Sequence, residues 1–307
     1  MKIEFENYKR FYLYANIFPR FIDKEKYVSL HPETELSKLD LEELKKYEGF
    51  LIEGFEPMLN PKFFELYNLL KKLEKPIIIE TVGVGVIKEE MFSKLNNVTF
   101  DLLVLGNNPD VHDFLFGKKS FEILALALKK LKKNNVNFFA HIYTIKSNYK
   151  ILTKIINFLK HYPLKYIRFI FPRVSWINKN MFDVFMPFAS LVAPEIKATA
   201  KLLFDLGIDF HVENMSYCLM PYFERYVLEN DANEREKFEI CNSCSFNHFC
   251  KGYFKDYLKK SKDDLKPFTT VKVMSKYILH KDSPQFPPNP FVIYDEYDVL
   301  YGERKFL

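Results

Sequence analysis

The chain has 307 residues, 48% hydrophobic and 17% aromatic, with a formal net charge of +5. This composition excludes wholesale disorder and leaves ample apolar surface for a core; the length suits two small domains or one α/β barrel. The positive charge is spread over lysine-rich helix ends such as 129–135, where cations suit the helix dipole, so no nucleic-acid partner is expected.

The opening stretch, "MKIEFENYKRFYLYANIF", mixes charges among its apolar residues and does not read as a signal peptide. No run approaches the roughly 20 apolar residues of a membrane span, so a cytoplasmic location without a membrane partner is expected. Lys, Ile, Phe and Glu are abundant and Gly is scarce, a faint thermophilic signature. The aromatics fall within apolar patterns and read as packing.

Apolar strand candidates follow in order at 11–18, 50–54, 76–82, 101–105, 136–144 and 166–171. Amphipathic helices lie between most of them. In one, Asn60 caps, Pro61 takes the first helical position and Phe63, Leu66, Tyr67 and Leu70 form a stripe. Others begin at Ser120 and Tyr149. Alternating strands and helices predict a parallel sheet with right-handed crossovers, and near-continuous apolar strands predict cover on both faces. Six such units predict a partial barrel over residues 1–192. Residues 193–215 add a helix, a stop at Gly207 and a short strand, opening a cysteine-rich extension at 193–262. The tail, 263–307, holds a proline-rich linker (281–291) and a final run that reads as a strand or arm.

All four cysteines, Cys218, Cys241, Cys244 and Cys250, fall in a window of 33 residues, spaced C-x22-C-x2-C-x5-C. Four thiolates suit a zinc ion or a [4Fe–4S] cluster, and a C-x2-C pair brings two sulfurs to one centre from a single loop. Disulfides are disfavoured in a cytosolic chain. His248 in the same loop reads as a neighbour of the metal rather than as a zinc ligand.

Residues 50–257 resemble the radical S-adenosylmethionine (radical SAM) enzymes with a SPASM or twitch extension. "EGFEPMLNPKFFELYNLLKKL" is similar to that superfamily's "GGEP" stretch and following helix, and 107–144 to the segment running through a His-Asp turn into helix four. "GIDFHVENMSYCLMPYFERY" and "CNSCSFNHFCKGYFKDY" look like the extension. The resemblance implies a partial (β/α)6 TIM-like barrel carrying one C-terminal [4Fe–4S] cluster, with zinc as the alternative. It also implies that Gly54, Glu56 and Pro57 occupy the turn that contacts the methionine amino group of SAM. The chain departs from the family in two ways. Phe55 replaces the second glycine of the turn, filling space a cofactor would take. The CxxxCxxC loop after the first strand is missing: there the chain reads "YANIFPRFIDKEKYVSLHPET", and Asn16, Arg20 and His31 do not replace three thiolates. SAM is therefore not an expected cofactor, and reductive cleavage by this chain alone is not expected.

Three functions stay open: a partner that binds substrate or relays electrons for an active enzyme, a catalyst using the pocket with Glu56, His141 or Glu80 as acid–base, or a zinc-stabilised scaffold. Against the ligand reading, Glu56 also suits a helix-entry turn, where the dipole favours a carboxylate. His112 and Asp113 read as a local hydrogen-bonding turn, and His141 as a buried, satisfied histidine. Glu80 and Arg168, charges inside apolar strands, need partners and read as barrel-interior residues that pair with each other or with other polar groups. Gly83 and Gly85 do not complete a nucleotide fingerprint, with no helix-opening turn evident there.

Overall fold

The computed structural model describes residues 5–228, 234–244, 246–248, 250–260 and 264; the linker and final run of the tail lie outside them. Eight strands form one sheet in sequential order, every neighbouring pair parallel: β1 (Tyr8–Tyr12), β2 (Gly49–Glu53), β3 (Ile77–Thr81), β4 (Val98–Leu103), β5 (Phe138–Tyr143), β6 (Leu164–Ile170), β7 (Asp209–Glu213) and β8 (Val227–Leu228). The expected partial α/β barrel is what the chain forms. Its sheet runs on past residue 192 through β7 and β8, so it holds two strands more than the six units read from the sequence. β1 also begins earlier than expected, because Tyr8 and Phe11 are buried, on opposite faces of a polar-looking "YKRFY".

The outer face of the sheet is covered by helices whose apolar stripes repeat at helical spacing. The expected stripe Phe63, Leu66, Tyr67 and Leu70 is buried on helix Phe63–Lys71, and Leu152, Ile155, Ile156 and Leu159 are buried on helix Leu152–Leu159. Each such side chain contributes roughly 1.5–3 kcal/mol on burial. Asn60 accepts from the Lys62 amide at 2.9 Å and turns the chain into the first of these helices.

The inner face has two layers. Toward the N-terminal ends of the strands, Tyr8, Leu51, Ile78, Phe139 and Tyr166 close the barrel with Phe5 and Leu228. Phe5 lies over this plug, 5.5 Å from the Tyr166 ring. Toward the C-terminal ends the inward positions become charged, and there barrels of this kind place their ligands. A separate two-stranded pair, β9 (Arg235–Glu236) and β10 (Tyr253–Phe254), is antiparallel. No helix among the described residues is long and apolar enough to cross a membrane.

Candidate functional site

The turn after β2 shows what holds the rim of the barrel. Gly54 has φ +134°, and a Cβ there would collide with the Leu13 carbonyl as the chain leaves β1; only glycine fits. Phe55 follows at φ +65°, a region that costs a non-glycine residue energy. Glu80 from β3 fixes both: its Oε2 accepts the Gly54 amide at 2.6 Å and the Phe55 amide at 2.8 Å.

Pro57 opens the 3-10 turn Pro57–Leu59, and Glu56 is fully buried. The Glu56 carboxylate accepts the Thr81 hydroxyl at 2.8 Å and the Val84 amide at 2.9 Å. Burial pushes its carboxyl up to about 7, against the pull of the Thr81 hydroxyl and the nearby amides. It thus sits at the start of helix Val84–Ile87, opened by Gly83 at φ +105°. This corrects the expectation of no helix-opening turn in "TVGVGV": the Thr81 hydroxyl takes the Gly83 amide at 2.8 Å, and the Glu56 carboxylate caps Val84 from outside the local sequence.

Phe55 is fully buried, and the loop after β1 closes on it. Its ring lies 5.3 Å from Phe18, 5.3 Å from Tyr27 and 6.3 Å from Tyr143, and Tyr14 stacks on Phe18 at 5.6 Å. No cysteine occurs in this loop. Asn16, Arg20 and His31 are not gathered at one point: Asn16 is exposed and accepts the Lys24 ammonium at 2.6 Å, Arg20 is exposed and reaches the Phe114 carbonyl, and His31 packs 4.9 Å from both the Tyr12 and the Tyr27 rings.

Beneath the rim lies a layer of ionised side chains. His141 is fully enclosed between Glu80 Oε1, 3.0 Å from its Nε2, and Asp101 Oδ1, 3.1 Å from its Nδ1. Burial opposes its charge, yet the two carboxylates prevail and raise it to about 9, so His141 is an imidazolium at neutral pH. Arg168, also buried, does not pair with Glu80; it binds Asp101, Glu213 at 2.8 Å and Glu53 at 3.2 Å. Arg10 adds a second bridge, to Glu53 at 3.3 Å and Glu213 at 3.1 Å. His211 Nε2 donates to the Glu213 carboxylate at 3.0 Å and its Nδ1 accepts from the Tyr166 hydroxyl at 3.1 Å, and burial lowers its pKa. Burial works against ionising Glu213 and Asp101, but the cations hold both below the usual carboxylate range; Glu53 is raised, because burial outweighs Arg10 and Arg168.

Above this layer opens a cavity of about 210 Å³ lined by Arg10, Tyr12, Tyr27, His31, Glu53, Tyr143, Arg168, Ile170, Trp176, Glu213 and Asn214. Of the residues singled out in the sequence, Arg168 and His31 line it; Glu80 and His141 lie beneath. Arg10, Glu53, Glu213 and Trp176 were missed. The signal for the two glutamates was present, since each is an acidic residue ending an apolar strand, as Glu80 nearly is. The expected local hydrogen-bonding role holds for Asp113 alone, and on helix Pro109–Leu115 rather than in a turn: Asp113 accepts from the Lys119 and Phe121 amides and the Ser120 hydroxyl, capping helix Ser120–Lys133, while the His112 ring makes no hydrogen bond. His112 is buried against Phe116 and Phe121, and burial lowers it to about 4.

The cysteines occupy one neighbourhood on the extension. Cys250 and Phe246 form a small apolar cluster against which Cys218 and Cys244 pack. Cys218 Sγ shares a hydrogen bond with the Tyr253 hydroxyl at 2.9 Å; the Gly252 amide donates to Cys250 Sγ at 3.3 Å and the Phe238 amide to Cys241 Sγ at 3.5 Å. None of the four is joined in a disulfide. Gly252, the glycine two beyond the last cysteine, has φ +89°, and a Cβ there would meet the Glu236 carbonyl where β9 passes. Thiols with amide donors aimed at them suit a cluster or zinc chemically. Among the described residues, however, no three His, Cys, Asp or Glu side chains are already closed around a common point. His248 is exposed.

The fold is shared with known structures. Two structures of SuiB from Streptococcus suis are similar at 12% identity. One, bound to S-adenosylmethionine, has a TM-score of 0.49 over 66% of this chain and 50% of that one. The other has a TM-score of 0.51 over 88% of this chain and 66% of that one. The chain thus spans about half to two thirds of the length of these neighbours. The second likeness shows the fold, a curled parallel α/β half-barrel. No family model and no curated protein sequence matches the chain.

Proposed function

We propose that this chain is a radical-SAM-like iron–sulfur protein that has lost SAM cleavage and serves an active enzyme as a partner, binding a peptide or protein substrate or relaying electrons. One observation carries the reading: Tyr14, Phe18 and Tyr27 converge on Phe55 in a loop without cysteine, while a charged cavity persists below it. The rim is packed shut where a cluster would be held, and the interior is still built to receive something. Cys218, Cys241, Cys244 and Cys250 would hold one [4Fe–4S] cluster, which supplies electron transfer when bound.

Gly54, Glu56 and Pro57 belong to this reading as the rim that Glu80 ties to the ionic layer. A residual cofactor contact by Glu56 is tested by Glu56→Gln; unchanged ligand binding would remove it. Autonomous acid–base catalysis by His141 is disfavoured because the ring is fully enclosed between two carboxylates.

The test is iron, zinc and sulfide analysis of anaerobically purified protein beside the Cys241→Ser, Cys244→Ser double variant. About four irons and four sulfides per chain, lost in the variant, are expected. One zinc without sulfide would overturn the electron-relay role and leave a scaffold with a structural metal.

A further inference from the structure

Cys218 stands apart from the other three cysteines in sequence and lies in the 3-10 turn Tyr217–Leu219, just past β7. Its partner comes from beyond the cysteine loop: Tyr253 on β10 brings its hydroxyl to 2.9 Å from Cys218 Sγ. The tyrosine is buried and held in place. β10 pairs with β9 at Tyr253 and Glu236, and the Gly252 carbonyl accepts the Ser216 hydroxyl and the Arg235 guanidinium, each at 2.9 Å. A sulfur that ligates iron is a thiolate with no proton to give, so with a cluster bound the hydroxyl is the donor. Cys241 and Cys250 take backbone amides, from Phe238 and Gly252. Tyr253 reaches its sulfur through a side chain, which a substitution can remove.

We propose that the Tyr253 hydroxyl raises the reduction potential of the cluster by hydrogen-bonding to Cys218. The proposal rests on the reading of the four cysteines as ligands of a [4Fe–4S] cluster. One-electron reduction adds negative charge that the ligand sulfurs share, and a donor aimed at one of them stabilises the reduced form more than the oxidised one. Tyr253 acts through Cys218 and is a tuning residue, not a ligand. Cys218 follows closely on Asn214, which lines the 210 Å³ cavity, so the tuned sulfur belongs to the chain segment that leaves the cavity wall.

The full-length protein, purified anaerobically, is titrated with dithionite in the presence of redox mediators. The reduced cluster is followed by electron paramagnetic resonance, beside iron and sulfide counts. Tyr253→Phe is expected to keep about four irons and four sulfides and to lower the potential. The reduction equilibrium is expected to fall about tenfold, which is about 59 mV for one electron. Tyr257→Phe is the control: that hydroxyl accepts the Ala189 amide at 2.9 Å and bonds Asp264 rather than a sulfur, and its loss is expected to leave the potential unchanged. Replacing Tyr253 with 3-fluorotyrosine keeps the ring and strengthens the donor, so the potential is expected to rise; this arm decides the matter where Tyr253→Phe fails to assemble its cluster. A Tyr253→Phe cluster with the parent's potential, a fluorotyrosine protein whose potential does not rise, or an equal fall in Tyr257→Phe overturns the proposal with the iron content intact. Parent protein without iron and sulfide overturns the iron–sulfur reading and this proposal with it, so the two failures are distinguishable.

Discussion

The two layers inside the barrel solve the same packing problem with opposite chemistry. At the N-terminal ends of the strands, Phe5, Tyr8, Leu51, Ile78, Phe139 and Tyr166 fill the interior with apolar volume. One step along the same strands, Arg10, Glu53, Glu80, Asp101, His141, Arg168 and Glu213 fill it with charge. Buried ion pairs rarely stabilise more than well-packed apolar residues of similar volume. Folding alone therefore does not require the upper layer, and the cavity above it supplies a reason for its presence.

The largest expected effect that separates the layers comes from Arg168→Met. It leaves Asp101, Glu53 and Glu213 short of a counter-charge and is expected to cost about 3–5 kcal/mol in urea unfolding. A loss below about 1 kcal/mol would mean that the network does not hold the upper interior.

The second effect is a pH dependence confined to the upper layer. His141 is raised to about 9 in the folded chain from the ordinary 6.5. Its contribution is fully present below pH 6.5 and is lost as pH rises through 9, about 3 kcal/mol in all. In His141→Gln that alkaline loss is expected to flatten; an unchanged stability–pH curve would contradict the ion-paired imidazolium. In the lower layer Phe139→Leu is expected to cost about 1 kcal/mol, equally at every pH in that window, and a pH-dependent cost would show that the layers are coupled.

The smallest effect is at the rim. Glu56 is raised to about 7, so its stabilising share is present below the ordinary 4.5 and lost as pH rises through 7. Glu56→Gln keeps acceptors for Thr81 and Val84 and is expected to gain up to about 1 kcal/mol near pH 8 and nothing near pH 4. A marked loss near pH 8 would show that the ionised carboxylate is needed there.

Much of this fold is legible in the order of apolar runs, because strands covered on both faces are written as continuous Ile, Leu and Phe. The stripe from Phe63 to Leu70 and the capping role of Asp113 are equally local. The ionic layer is harder to read. Glu53, Asp101, Arg168 and Glu213 each sit on a different strand, and only the curling of the sheet makes them neighbours. Arg10 is hidden further, in a strand that reads as polar. Trp176 enters the cavity wall from a 3-10 turn, where no periodicity marks which way a side chain faces. Phe55 could be picked out because it stands where the resemblance expects glycine, but the rings that close on it come from a loop with no repeating pattern.

The most direct test of the central claim is a SAM-cleavage assay on the anaerobically purified, chemically reduced protein, with and without added iron and sulfide, monitoring 5′-deoxyadenosine. With aromatic rings packed where a catalytic cluster would be held, no 5′-deoxyadenosine above the protein-free control is expected. Repeated turnover that persists in the Cys241→Ser, Cys244→Ser variant would contradict it, because a SAM-cleaving centre would then have to exist elsewhere in the chain.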